Sequence, residues 1–228
     1  MFLLKEEGYH VLPLCRAIER MYNDSLEKNS IVITFDDGPE SILENAVSCL
    51  LELYFPASIF VPTGLPGQIV TAAHGNKRKR VLDWDQLALL HKNGIDIHSH
   101  SVSHKDLTTL GLEQLEYELR HSLETMRLHF GDRDYYLAYP FGMVNQDVLD
   151  MVRTVEYKGA FCFGNVLSNW RHTDAYQLKR ERVLSTTTIQ QFHRKIDTSY
   201  DLIRFAHVHS AHQLERLLKM ITSKVGAK

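Results

Sequence analysis

The chain has 228 residues, 44% hydrophobic and 24% charged, which suits one globular domain with a sizeable core. Its 26 basic and 28 acidic residues leave a formal net charge of −2, which argues against a nucleic-acid partner. Cys15, Cys49 and Cys162 stand far apart among apolar neighbours, so they read as core packing and not as a disulfide framework or thiolate metal site.

No run is long and apolar enough for a transmembrane segment. Met1-Phe2-Leu3-Leu4 is followed at once by Lys5, Glu6 and Glu7, too soon for a signal peptide. The expectation is a soluble chain, cytoplasmic as written and extracellular or periplasmic if a leader has been trimmed.

In chain order, Tyr9 to Leu14 reads as a strand entered through Gly8, and residues 14–23 as a helix. A strand over 31–35 runs into Asp36-Asp37-Gly38-Pro39. Apolar residues at 42, 43, 46, 47, 50 and 51 predict a helix over 40–54. Ala57 to Val61 is a short apolar strand between Pro56 and Pro62. Residues 62–80 read as a loop ending in Lys77-Arg78-Lys79-Arg80, a basic run expected to be a solvated face, with an anionic glycan or lipid phosphate as the alternative contact. Asp83 and Gln86 resemble a capping box for a helix over 84–93, which Gly94 ends.

The strand Ile95 to Ile97 leads into His98-Ser99-His100-Ser101-Val102-Ser103-His104. A long amphipathic helix over 111–130 stops at Gly131. Tyr135 to Tyr139 is a strand ending in Pro140-Phe141-Gly142, followed by a helix near 145–155 and a strand over 159–163. A loop over 164–175 carries Trp170. A strand within 176–183 and helices over 188–196 and 211–224 complete the chain. Strand and helix alternate throughout, which predicts parallel βαβ units in a barrel or doubly wound sheet. No glycine-rich phosphate loop follows the first strands, which weighs against nucleotide binding.

Two segments carry chemistry. Adjacent carboxylates at the exit of a buried strand are costly unless something uses them. The plain alternative is a turn capping the helix from Ser41. His100 and His104, four apart, would project one turn apart from one face of a helical turn. Two imidazoles and one carboxylate leave a coordination position open, as in catalytic zinc sites. A second carboxylate, free of the metal, could take a proton from water. Asp36 and Asp37 supply the two. His98 is the rival ligand, otherwise packing beside the site.

These residues carry a resemblance. Thr34-Phe35-Asp36-Asp37-Gly38 is similar to the first motif of the polysaccharide deacetylases with a NodB homology domain, carbohydrate esterase family 4. His100-Ser101-Val102-Ser103-His104 with Asp106-Leu107 resembles that family's His-Ser/Thr-x-x-His motif. The resemblance covers roughly residues 9–196. It implies an α/β fold, an irregular, TIM-like (β/α) barrel of seven strands, as a single domain over 1–228 with a helical tail about 198–228. It further implies Asp36 as general base, and Asp37, His100 and His104 around a divalent metal, with Zn2+ the first choice. The implied reaction frees acetate from an N-acetylglucosamine-containing glycan or glycan precursor.

The third motif matches in part. Tyr139-Pro140-Phe141-Gly142 stands where the family often has Arg-Pro-Pro-Tyr-Gly, and Ala138 falls at the arginine. This is similar to the poly-β-1,6-N-acetylglucosamine deacetylase branch. There the backbone N–H of Phe141 would help hold the oxyanion. Leu178-Lys179-Arg180 resembles that branch's Leu-x-Arg, so Arg180 is expected to replace the missing arginine beside Asp36. His207 or His209 is the weakly matched candidate for the general acid. Tyr139, Pro140 and Trp170 are expected against substrate; Trp84 is expected to pack at a helix start. The rival readings are an O-acetyl or lipid-linked sugar substrate, a glycan-binding domain without turnover, and a non-haem iron oxygenase.

Overall fold

The computed structural model describes residues 1–71, 78–164, 169 and 171–196. The elements run α1 (Phe2–Glu6), β1 (His10–Val11), α2 (Leu14–Tyr22), β2 (Ser30–Ile31), β3 (Thr34–Asp36), α3 (Ser48–Leu53), β4 (Ala57–Val61), β5 (Ile69–Thr71), β6 (Arg78–Arg80), α4 (Trp84–Lys92), β7 (Ile95–Ser99), α5 (Leu112–Phe130), β8 (Tyr136–Ala138), α6 (Gln146–Val155), β9 (Gly159–Phe163), β10 (Leu178–Arg180) and α7 (Ile189–Ile196).

β4 is buried at all five positions. Such a strand must be covered on both faces, as in a parallel sheet. It lies inside a six-stranded parallel sheet of order β10-β9-β8-β7-β4-β3. Laid flat, five strand spacings would separate the edges by about 24 Å. Yet Arg180 on β10 reaches Asp36 on β3 at 2.7 Å, so the sheet curls into a half-barrel. Among the described residues six strands join it, where seven were expected.

The larger core lies under the helices, from Ile59, Ile97 and Leu137 of the sheet to Leu115, Leu119 and Met126 of α5 and Val148 and Val152 of α6. The concave face carries Phe60, Tyr136, Phe161 and Leu178. Leu14, Ile18 and Met21 of α2, spaced i, i+4, i+7, pack with them and fill that face. Asp83 and Gln86 form the expected capping box of α4, with Asp83 Oδ1 accepting the Gln86 N–H at 2.8 Å.

Several local expectations change. The expected strand over 31–35 divides, because the chain leaves β1 as its partner and takes β4. The predicted loop 62–80 contains the antiparallel hairpin β5–β6, whose strands are too short and too charged to show alternation. The helix expected over 40–54 opens with a π-helical turn, Leu43–Val47, before α3. Of the three cysteines read as core, only Cys162 is buried; Cys15 is exposed on α2. The chain divides into two compact units, one over Met1–Arg180 and one from Glu181. In the second, α7 lays Lys195 against Glu181. Among the described residues no helix is long and apolar enough to cross a membrane. The tail helix expected over 211–224 lies outside them.

Candidate functional site

The site forms where β3, β7 and β8 end, at the C-terminal edge of the sheet, the face that carries the chemistry in parallel barrels. Asp36 is the last residue of β3. Asp37 follows with φ +65°, a left-handed conformation costly for a side-chain-bearing residue. That twist sends the two neighbouring carboxylates to different partners. Gly38, φ +55°, continues the turn; a Cβ there would meet Val61 Cγ2 at 3.3 Å.

Asp37 Oδ1 lies 3.0 Å from His104 Nε2 and 3.6 Å from His100 Nε2. One atom from each residue can be chosen so that all lie within 4.8 Å of one another. Ligands about 2.05 Å from a tetrahedral zinc would stand about 3.3 Å apart, which the two separations from Asp37 bracket. His100 Nδ1 lies 2.6 Å from the Ala138 carbonyl. That contact puts the proton on Nδ1 and leaves Nε2 free to ligate, a common arrangement at metal sites. Burial lowers the His100 pKa below the ordinary histidine value, against the opposing charge of Asp36, so the ring is held neutral. Burial pushes Asp37 up, but hydrogen bonds from His104 and Lys79 outweigh it and hold its carboxyl well below the usual range. The donor set therefore fits a divalent metal.

Asp36 faces the other way. Arg180 Nη1 and Nη2 donate to its Oδ1 and Oδ2 at 2.7 and 2.8 Å, and Nη1 also reaches Thr34 Oγ1 at 3.1 Å. The guanidinium lies 4.9 Å over the Phe60 ring. Burial raises the Asp36 pKa, but the charge of Arg180, then that of His100, carries it below the ordinary value. Asp36 is thus ionised, fixed in orientation and outside the His/His cluster.

The histidines do not converge from a helical turn, as the spacing suggested. The chain from Ser101 to Lys105 is irregular, and Ser101 and His104 have φ of +65° and +57°. Phe141, also at φ +57°, closes the far side with its ring 4.7 Å from that of His104. Four side-chain-bearing residues with positive φ, Asp37, Ser101, His104 and Phe141, lie in the turns that carry this site. Strain of about 1–3 kcal/mol each is typical of positions held by function and supported by their surroundings.

The polysaccharide deacetylase family model matches residues 23–160. The chain belongs to the polysaccharide deacetylase family. The poly-β-1,6-N-acetyl-D-glucosamine N-deacetylase of Staphylococcus aureus is 27% identical over 167 residues, covering 69% of this chain and 56% of that protein. The chain spans about half the length of the curated relatives it matches. In fold it is similar to the Streptococcus pyogenes deacetylase PplD solved with acetate, with a TM-score of 0.72 and 21% identity over 85% of this chain and 82% of that one. IcaB from Ammonifex degensii gives 0.70 and 18% over 86% and 85%.

Some expected residues stand away from this cluster. Tyr139 and Pro140, expected against substrate, are both buried. The Tyr139 hydroxyl donates to the Tyr176 carbonyl at 2.9 Å, so the ring belongs to the core and offers no surface to a sugar. His98, the rival ligand, sits one level deeper, packed against Phe60 and Tyr136, with its pKa held well below the ordinary value by burial. Trp84 stacks on His129 at 3.7 Å. Trp170, His207 and His209 lie outside the described residues.

Lys79 and Glu118 escaped the sequence reading. Lys79, placed in a basic run expected to be solvated, donates to Asp37 Oδ2. Glu118 did leave a signal: it interrupts the apolar stripe Leu115, Leu119, Leu123, Met126 on the buried face of α5.

Proposed function

We propose that this domain is a metal-dependent carbohydrate N-deacetylase, hydrolysing the acetamide of an N-acetylglucosamine-containing polysaccharide or glycan precursor. The observation that carries the reading is the division of labour between neighbours. Asp37 faces two imidazoles, whereas Asp36 is turned to Arg180.

In this reading Asp37, His100 and His104 hold the ion, with zinc the first choice for one carboxylate and two imidazoles. The metal, when bound, polarises the acetamide carbonyl and lowers the pKa of water toward about 7. Asp36 then accepts the proton from the attacking water. Arg180 keeps Asp36 ionised and aimed, taking the part that Ala138 cannot. The Phe141 N–H stands at the turn after β8 as the proposed donor to the oxyanion. The exposed Phe141 ring is better placed for a sugar face than the buried Tyr139 and Pro140. Support for the substrate class comes from family membership and from the name of the Staphylococcus aureus relative.

The test is acetate release from N-acetylglucosamine oligomers, with metal analysis, for wild type, Asp36→Asn and His104→Ala, with and without chelator. Wild type should release acetate and stop on chelation. Asp36→Asn should keep its metal and lose about 10²–10⁴-fold in kcat/KM. His104→Ala should lose both. An Asp36→Asn enzyme at wild-type rate removes the proposed base, and a wild type that binds oligomers but frees no acetate makes the domain a glycan-binding module.

A further inference from the structure

The loop carrying His104 is strained at both ends, so something must hold it. Its carbonyls are fastened from two sides. The Ser101 carbonyl accepts the Thr63 N–H at 2.9 Å and the Ser122 hydroxyl at 3.1 Å, and the Val102 carbonyl accepts the Gly64 N–H at 2.9 Å. The His104 N–H reaches back to Ser101 Oγ at 3.2 Å. The amides between them are taken by one side chain. Glu118 Oε2 accepts the N–H of Val102 and of Ser103, each at 2.9 Å, and Oε1 accepts the Ser103 hydroxyl.

Glu118 is 4% exposed, and among the described residues it has no ion pair with a cation. A buried, uncompensated carboxylate is a poor choice for stability, and an apolar residue would continue the α5 stripe at lower cost. Backbone amides converging on a carboxylate satisfy its charge, and the carboxylate in turn fixes the amides.

We propose that Glu118 is a positioning residue for the metal: it locks residues 101–104 in the conformation that turns His104 Nε2 toward Asp37 and His100. This rests on the metal-binding reading above. Without the carboxylate, the Val102 and Ser103 amides lose their partner, the left-handed conformations at Ser101 and His104 are no longer imposed, and the imidazole swings away from Asp37. The inference concerns the affinity of the site for its ion, a quantity that mere packing by α5 would not alter.

The test measures Zn2+ affinity by competition with a chromophoric chelator, and the visible spectrum with Co2+, on the full chain. Glu118→Ala, still folded, should bind Zn2+ about 10–100-fold more weakly, with a Co2+ spectrum shifted from wild type. Glu118→Gln should recover most of the affinity, since its amide oxygen can accept both N–H groups and its NH2 can donate to Ser103. If Glu118→Ala does not fold, Glu118→Asp, which withdraws the carboxylate by one methylene, should fold and weaken binding in the same direction. A folded Ala or Asp variant with wild-type affinity and spectrum overturns the inference, even if its melting temperature falls. Wild type that binds neither ion overturns the metal reading itself, a separate failure visible before any variant is made.

Discussion

Arg180 and Asp36 occupy opposite edges of one sheet, yet they form a two-pronged ion pair at 2.7 and 2.8 Å. The contact spans the mouth of the curled sheet, orients a carboxylate and separates that carboxylate from the residue beside it. Asp36 and Asp37 are chemically identical in the sequence. Their partners make them different.

The pair has a pH signature. The folded-state pKa of Asp36 is below its unfolded value of about 3.9, so the pair contributes stability above that value and loses it as pH falls through the folded pKa. Both side chains are mostly buried, so removing one partner costs roughly 3 kcal/mol at neutral pH. Arg180→Met in the metal-free protein should therefore melt well below wild type at pH 7, with the gap narrowing below about pH 4. A constant gap across that range would show that the loss comes from the arginine's packing on Phe60 instead.

Much of this was legible from residue types and spacing. The strand exit at Asp36-Asp37, the histidine pair and the capping box at Asp83 and Gln86 were placed from the chain itself, whereas Arg180 beside Asp36 came only from the resemblance of Leu178-Lys179-Arg180 to a family motif. These features are local or depend on one residue at one strand end. What the sequence hid was non-local or conformational. The positive φ at Ser101 and His104 leaves no mark, because neither residue is glycine. Lys79 looked solvated because its partner, Asp37, lies 42 positions away. Tyr139 and Pro140 were expected against substrate because a strand end gives no sign of how deep it is set.

A bound ion should stabilise the fold by mass action. With free Zn2+ at 100 times its dissociation constant the gain is about 2.7 kcal/mol. Wild type should show a zinc-dependent rise in melting temperature that a chelator reverses. His104→Ala should lose the rise, because the site keeps only Asp37 and His100. The Zn2+ titration of both proteins, followed by differential scanning calorimetry, checks this. An equal rise in the variant would assign the effect to other histidines among the chain's 13.

The turn after β8 supplies the last prediction. Gly142 has φ +70°, and a Cβ there would meet the Phe163 ring at 2.5 Å and the Phe163 backbone nitrogen at 2.9 Å. The backbone contact cannot be relieved by a rotamer change, so the turn itself must move. Gly8 has nearly the same φ of +71°, but its Cβ would meet nothing within 4 Å. The two glycines separate the cost of conformation from the cost of collision. Gly8→Ala should lose about 1 kcal/mol from the positive-φ backbone alone. Gly142→Ala should lose roughly 3 kcal/mol, adding the overpacking penalty. It should also displace Phe141, whose ring stands 4.7 Å from that of His104. Denaturant melts of both variants, with acetate release measured at a temperature where both are folded, make the comparison. Equal losses of stability would mean that the turn yields freely, and unchanged turnover in Gly142→Ala would remove Phe141 from the site.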